Sequence, residues 1–173
     1  MSCQDYTDFI VYSGVSEIVS LHIENSREHQ NPPFPVINSK MIRNVIGLAY
    51  SFKDKLIFYS DKQSGSINSV HFDGSNHTRL LENVLSVEGL TYDATLDFLF
   101  WTSTSDRTLR RIKIGEATLE KSELVVQLGK EDNPRGIDVD TCNGMVYWTN
   151  WNRNHPSIQR AYYSGKRVIF RLF

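Results

Sequence analysis

Three segments of the chain are apolar almost without interruption: Leu56-Ile57-Phe58-Tyr59, Phe98-Leu99-Phe100-Trp101 and Met145-Val146-Tyr147-Trp148. A strand with one wet face alternates apolar and polar residues, so unbroken apolarity calls for cover on both faces. Before each run stands a glycine followed by an aliphatic residue: Gly47-Leu48, Gly89-Leu90 and Gly136-Ile137. The interval from that glycine to Tyr59, Trp101 or Trp148 is 12 residues all three times. The aromatic position itself recurs at intervals of 42 and 47 residues, and Tyr12, in Val11-Tyr12-Ser13-Gly14, lies 47 residues before Tyr59. A spacing that holds while the intervening loops vary marks a structural repeat, and a period of roughly 40 to 50 residues is that of propeller blades.

The remaining strands fall into place around these runs. Asp8 to Gly14 and Glu17 to Ile23 read as two strands joined by a tight turn at Ser13-Gly14. Glu24 to Lys40 is a polar loop containing Pro32, Pro33 and Pro35, with Pro35-Val36-Ile37 as an edge strand. A first complete unit has strands at Asn44 to Tyr50, Lys55 to Ser60, Ser66 to Phe72 and Thr78 to Leu81. Its last two strands are joined through Asp73-Gly74-Ser75-Asn76, a strong hairpin signal. The second unit has Val87 to Tyr92, Phe98 to Thr102, Thr108 to Ile114 and Leu124 to Leu128. The third has Arg135 to Val139, Met145 to Thr149, Ser157 to Tyr163 and Arg167 to Phe173, with Tyr163-Ser164-Gly165-Lys166 as its hairpin. The expected fold is all-β: a partial propeller of three full four-stranded blades, at 43–83, 84–130 and 131–173, after an incomplete one at 8–42.

Composition narrows the classes. Among 173 residues the net charge is -1, so no broad field draws nucleic acid or an anionic membrane. No run of about 18 apolar residues is present, so direct membrane insertion is not expected. The Met1-Ser2-Cys3-Gln4-Asp5 start lacks the basic and apolar parts of a signal peptide. Cys3 and Cys142 are too few and too far apart for a disulfide framework or a zinc site. Cys142 reads as a free thiol or a partly buried small residue, with a Cys3–Cys142 bridge as the alternative.

Phe58-Tyr59-Ser60-Asp61, Phe100-Trp101-Thr102-Ser103 and Tyr147-Trp148-Thr149-Asn150, with the preceding glycines and Ile158-Gln159-Arg160-Ala161, resemble the Tyr-Trp-Thr-Asp (class B) repeat of the low-density lipoprotein receptor family. The resemblance runs from about Phe9 to Lys166. Val84 to Tyr92 and Trp148 to Arg160 look closest to the lipoprotein receptor-related proteins 1 and 1B. It implies a six-bladed propeller flanked by EGF-like modules, of which residues 1–7 are the end of one or a linker. It also implies a first blade completed by a strand from the far end of the domain. Three full units and a partial one give about 15 strands where six blades hold about 24. The chain is therefore expected to be a fragment whose two end faces lack cover, marginal alone or dependent on a partner. The family's Asp and the Arg of the following strand never occur together here. Asp61 is followed by Ser69, Ser103 by Arg111 and Asn150 by Arg160, which leaves an Asn150–Arg160 hydrogen bond as the remaining tie.

Candidate sites are few. Asn76-His77-Thr78 is an N-glycosylation acceptor on a hairpin turn. His71, His77 and His155 are candidates for pH sensing, with His77 and His155 the two preferred, since histidine titrates between cell-surface and endosomal pH; the plainer alternative is ordinary surface histidines. Trp101 and Trp148 read as inter-blade core. The rims Lys62 to Ser66, Ser103 to Arg107 and Trp151 to His155 are the expected contact loops, with Trp151, Arg153 and His155 foremost because tryptophan and arginine dominate interfaces. Asp138 and Asp140 alternate along a first strand and suggest a cation at the central channel, but no oxygen shell is assembled around them. No catalytic residue, cofactor or metal is expected; calcium belongs to neighbouring modules of the parent receptor. The expected function is a non-enzymatic extracellular module of a lipoprotein-receptor-like endocytic receptor. Such a module spaces ligand-binding modules and assists uptake and acid-dependent release, with protein ligands or neighbouring modules as partners. The alternative is a calcium-dependent esterase or lactonase propeller using Asp138 and Asp140.

Overall fold

A computed structural model describes residues 9–22, 34–116, 118–166 and 168–172. Its strands form four separate antiparallel sheets, each a simple meander. The first contains β1 (Phe9–Ser13), β2 (Glu17–His22) and β3 (Ile37–Asn38). The second contains β4 (Val45–Ser51), β5 (Leu56–Asp61), β6 (Ser66–His71) and β7 (Thr78–Leu81). The third contains β8 (Val87–Asp93), β9 (Phe98–Ser103), β10 (Thr108–Lys113) and β11 (Glu123–Gln127). The fourth contains β12 (Pro134–Asp140), β13 (Met145–Asn150), β14 (Ser157–Tyr162) and β15 (Ile169–Leu172). This is the all-β arrangement expected, three four-stranded sheets and an incomplete one.

The sheets stack face to face in chain order, with one apolar core in each seam. Ile18, Phe34 and Ile37 of the first sheet meet Ile57, Tyr59 and Val70 of the second. Phe58 and Ile67 meet Leu99, Trp101 and Ile112. Phe100 and Leu109 meet Val146, Trp148 and Ala161. β5 and β9 thus feed two cores, one per face, which is why their sequences do not alternate, whereas β13 feeds only one, through Val146 and Trp148, against the expectation from its unbroken apolar run. Tyr59 and Trp101 are 0 % exposed and Trp148 1 %, so the tryptophans are seam residues as expected.

At Gly89 the repeated glycine has a steric cause, whereas at Gly136 an added Cβ would meet only Thr149 Oγ1 at 3.6 Å. First strands β4, β8 and β12 lie side by side, and a Cβ on Gly89 would stand 2.4 Å from the carbonyl oxygen of Arg135 in the next first strand. Each first strand also shifts register against its partner at this place: between Val45 and Leu48, Val87 and Gly89, and Pro134 and Ile137. A bulge beside a glycine lets one backbone approach another closely.

Some boundaries differ from the sequence reading. β3 is only two residues long and starts at Ile37, because Pro35 cannot donate to a ladder. β10 gives way to two 3-10 turns, Ile114–Glu116 and Leu119–Lys121, where no element was expected. Cys142 is an exposed free thiol. Cys3, residues 1–7, Ile23, Arg167 and Phe173 lie outside the described residues.

Candidate interaction face

The β1–β2 turn and the turns between the second and third strands of the three full sheets lie along one rim, where each is hydrogen-bonded to a neighbouring inter-sheet linker. Val45 N donates to Val15 O at 3.2 Å, Lys62 N to Asn44 O at 2.8 Å, Thr104 N to Ser86 O at 3.0 Å and Trp151 N to Asn133 O at 2.9 Å. The three contact loops expected from the sequence therefore share a rim. Three large apolar side chains stand out from it: Val15, Leu85 and, 64 % exposed, Trp151.

Trp151 is held rather than loose. The Arg135 guanidinium carbon lies 5.0 Å from the centroid of its ring. Arg135 Nη1 also donates to Glu88 Oε2 at 2.7 Å, which ties the third sheet to the fourth. A cation over an indole face is favourable, and a second carboxylate contact fixes its orientation. On the other side, Asn152 Nδ2 donates to Asp132 Oδ1 at 3.1 Å, while Asn152 Oδ1 accepts from Asn154 N at 3.0 Å and His155 N at 3.2 Å. Arg153 and His155 are exposed on this loop, and among the described residues their side chains have no hydrogen bond or ion pair. Sequence reasoning placed Trp151 but missed Glu88 and Arg135. The signal was the opposite charge preceding two consecutive repeat glycines, in Glu88-Gly89 and Arg135-Gly136.

The last position of each motif anchors the rim. Asp61 Oδ2 accepts from Arg43 N at 2.7 Å and Asn44 N at 3.2 Å, and Oδ1 from Gln63 N and Ser64 N, both at 3.0 Å. Burial alone raises its pKa, but the backbone donors of Ser64, Arg43 and Asn44 outweigh burial and hold the carboxyl below its usual range. Asn150 does not reach Arg160, correcting the sequence expectation. Its Oδ1 accepts from Asn133 N at 2.7 Å and its Nδ2 donates to Asp132 Oδ1 at 2.6 Å. Asn150 pairs across the ladder with Ser157, whereas Arg160 pairs with Tyr147 and donates to its hydroxyl at 3.4 Å.

The other candidates lie elsewhere. Asn76 is exposed at positive φ, and Thr78 Oγ1 donates to its carbonyl at 3.2 Å. His77 turns inward between the first and second sheets. Its Nε2 meets the hydroxyl of buried Tyr59, and its Nδ1 lies 3.1 Å from Ser39 Oγ. Burial lowers the pKa of His77. His77 and His155, on different sheets and different loops, are not brought together.

Asp138 and Asp140 form no shared site. Asp138 Oδ1 accepts from Thr91 Oγ1 at 3.1 Å and Val139 N at 2.8 Å, whereas Asp140 binds Asn143 N at 3.1 Å and Asn143 Nδ2 at 2.6 Å. A cleft of about 490 Å³ beside Asp138 is lined mainly by Leu48, Tyr50, Phe52, Thr91 and Tyr92. Among the described residues no three His, Cys, Asp or Glu side chains converge to hold a metal. No helix among them is long and apolar enough to cross a membrane.

No family model matches the chain. The chain is 25 % identical to a chain in the crystal structure of a nidogen/laminin complex, with a TM-score of 0.78 over 92 % of this chain and 59 % of that one. A gluconolactonase from Xanthomonas campestris superposes with a TM-score of 0.57 at 16 % identity, over 73 % of this chain and 46 % of that one, which speaks to fold alone. Among curated proteins, Protein cueball of Drosophila ananassae is 32 % identical over 132 residues, 70 % of this chain. The Drosophila virilis protein is 31 % identical over 127 residues, 68 % of this chain. The chain spans about a fifth, 20 %, of the length of these cueball relatives. Fold and nidogen likeness together support a β-propeller of the Tyr-Trp-Thr-Asp type. The class that they support is a protein-interaction module.

Proposed function

We propose that the chain acts as an extracellular module of a lipoprotein-receptor-like endocytic receptor, akin to receptor-related proteins 1 and 1B. In that reading its sheets space neighbouring ligand-binding modules, and its loop rim contacts a protein ligand directly. The observation that carries the proposal is Trp151, exposed to 64 % yet clamped beneath an Arg135 that is itself paired with Glu88. A rigid, exposed tryptophan beside free Arg153 and His155 has the make-up of an interface anchor. Asn76, exposed on its hairpin, carries the glycan in this reading. Chemistry at Asp138 and Asp140 is not favoured, because each carboxylate is committed to its own neighbours.

Laminin, the protein in complex with the related nidogen, is the first probe. Immobilised chain should bind it, or another extracellular protein of a ligand panel, and Trp151→Ala should weaken that binding roughly tenfold or more. Leu96→Ala, in the β8–β9 turn at the end opposite the rim, should not. Repeating the measurement at pH 5.5 tests acid release. A fall in affinity that survives both His77→Ala and His155→Ala removes the histidines from the mechanism. Equal binding by wild type and Trp151→Ala removes the rim.

A further inference from the structure

Asp or Asn precedes a glycine twice in the chain, at Asp73-Gly74 and Asn143-Gly144. Such pairs are chemically labile: the glycine nitrogen can attack the side-chain carbonyl carbon, and no Cβ obstructs the five-membered ring that forms. The two turns differ in whether that nitrogen is engaged. Gly74 N donates to His71 O at 2.8 Å, and Asp73 Oδ1 accepts from Ser75 N at 2.9 Å and Ser75 Oγ at 2.6 Å. In the β12–β13 turn, by contrast, Gly144 N makes no hydrogen bond among the described residues. A Cβ built on Gly144 would meet nothing within 4 Å, and Asn143 is exposed. We infer that Asn143 is a site of spontaneous deamidation, and that its product loosens the seam between the third and fourth sheets.

The step needs only water. Gly144 N bonds to Asn143 Cγ, the Cγ–Nδ2 bond breaks, and ammonia leaves with the hydrogen that the glycine nitrogen carried. Water then opens the cyclic imide. Addition at Cγ gives aspartate; addition at the main-chain carbonyl carbon gives isoaspartate, whose backbone is longer by one methylene. Either product changes the turn. Asp140 Oδ2 accepts from Asn143 Nδ2 at 2.6 Å, and its Oδ1 accepts from Asn143 N at 3.1 Å. Those donors hold the Asp140 carboxyl below its usual range, so it is ionised at neutral pH. Deamidation replaces the donating amide with a second carboxylate against it. The effect reaches the seam through Tyr163, whose N donates to Gly144 O at 2.9 Å. Its hydroxyl donates to Asp93 Oδ2 of the third sheet at 2.9 Å, and its ring centroid lies 4.7 Å from that of Phe100. A longer backbone at Asn143 displaces the carbonyl that holds Tyr163 in place. The turn lies at the end opposite the loop rim, so the modification is independent of the ligand contact proposed above.

Ageing the folded chain at mildly alkaline pH tests the chemistry. Peptide mass spectrometry, with an isoaspartate-specific methyltransferase as label, should find Asn143 modified roughly tenfold faster than exposed Asn83 and Asn154, which precede bulkier residues. Asp73 should stay unlabelled, and Asn143→Gln, which closes the larger ring far more slowly, should abolish the signal. The aged chain and Asn143→Asp should both melt below the fresh wild type, and Asp140→Asn added to Asn143→Asp should recover most of the loss. An Asn143 that persists in the folded chain while an isolated peptide of the turn deamidates overturns the inference. So does labelling that is no faster at Asn143 than at Asn83. An aged chain that melts like the fresh one overturns the link to the seam.

Discussion

The second and fourth sheets carry one motif at one register and complete it with different chemistry. In the second, the buried Tyr59 hydroxyl meets His77, and the Asp61 carboxylate gathers four backbone N–H groups. In the fourth, buried Trp148 leaves its indole N–H without a partner among the described residues. Neutral Asn150 there shares the joint with Asp132, 18 residues upstream. The acid has moved from the strand to the linker, yet the joint is kept. Asp132 tells the same electrostatic story: burial raises its pKa, but the amides of Asn150 and Asn152 and the Gly129 N–H outweigh burial and lower it. In these two sheets the joint is closed by a side-chain acceptor facing a linker N–H, Asp61 in one and Asn150 in the other. The third sheet reverses the polarity, with Ser103 Oγ donating to the linker carbonyl of Leu85 at 3.0 Å.

The comparison predicts a graded series. Asp61→Ala should cost most, about 3 kcal/mol, because buried backbone donors lose a charged acceptor. Urea unfolding measures it, and a loss within error of zero would mean that the joint is not structural. Asn150→Asp should cost about 2 kcal/mol by setting two carboxylates against each other, and adding Asp132→Asn should restore most of that. An unrepaired double variant would break the idea that the acid is transferable. Ser103→Ala should cost about 1 kcal/mol, one ordinary hydrogen bond. The smallest effect is in the pH profile. The folded pKa of His77 is lowered below its ordinary 6.5, so the stability that its neutral form maintains is complete above pH 6.5 and declines as pH falls toward the folded value. His77→Gln should flatten that segment of the melting-temperature curve. Asp61 and Asp132 are also depressed, so their contribution holds above about pH 4 and is lost only below it.

Much of this architecture was legible because its cause is local. Unbroken apolar runs identified the second strands, two of the three covered on both faces, and the 12-residue interval from glycine to aromatic identified the repeat. Trp101 and Trp148 followed from the same period. What stayed hidden depends on separations that no period encodes. Ser39 and His77 are 38 residues apart and meet only because the first sheet stacks on the second. Arg135 and Glu88 are 47 apart and meet across neighbouring first strands. Asn150 was assigned to Arg160 because both belong to one repeat, but the ladder register sets Arg160 opposite Tyr147 instead. Register is a three-dimensional quantity, and motif spacing fixes it only where the strands are already known.

The meander order within each sheet bears on the time course of folding. Every strand pairs with its neighbour in the chain, and sheets meet only in succession. Short loops lose little entropy on closure, so each sheet can form early and by itself. As the chain emerges from the ribosome, the second sheet can be complete before the third has been made. Tyr59 and Trp101 each face the sheet made before their own, so each can dock as soon as its own hairpin closes. Assembly has a direction, from the amino end onward, and the order of events is written in the order of the strands.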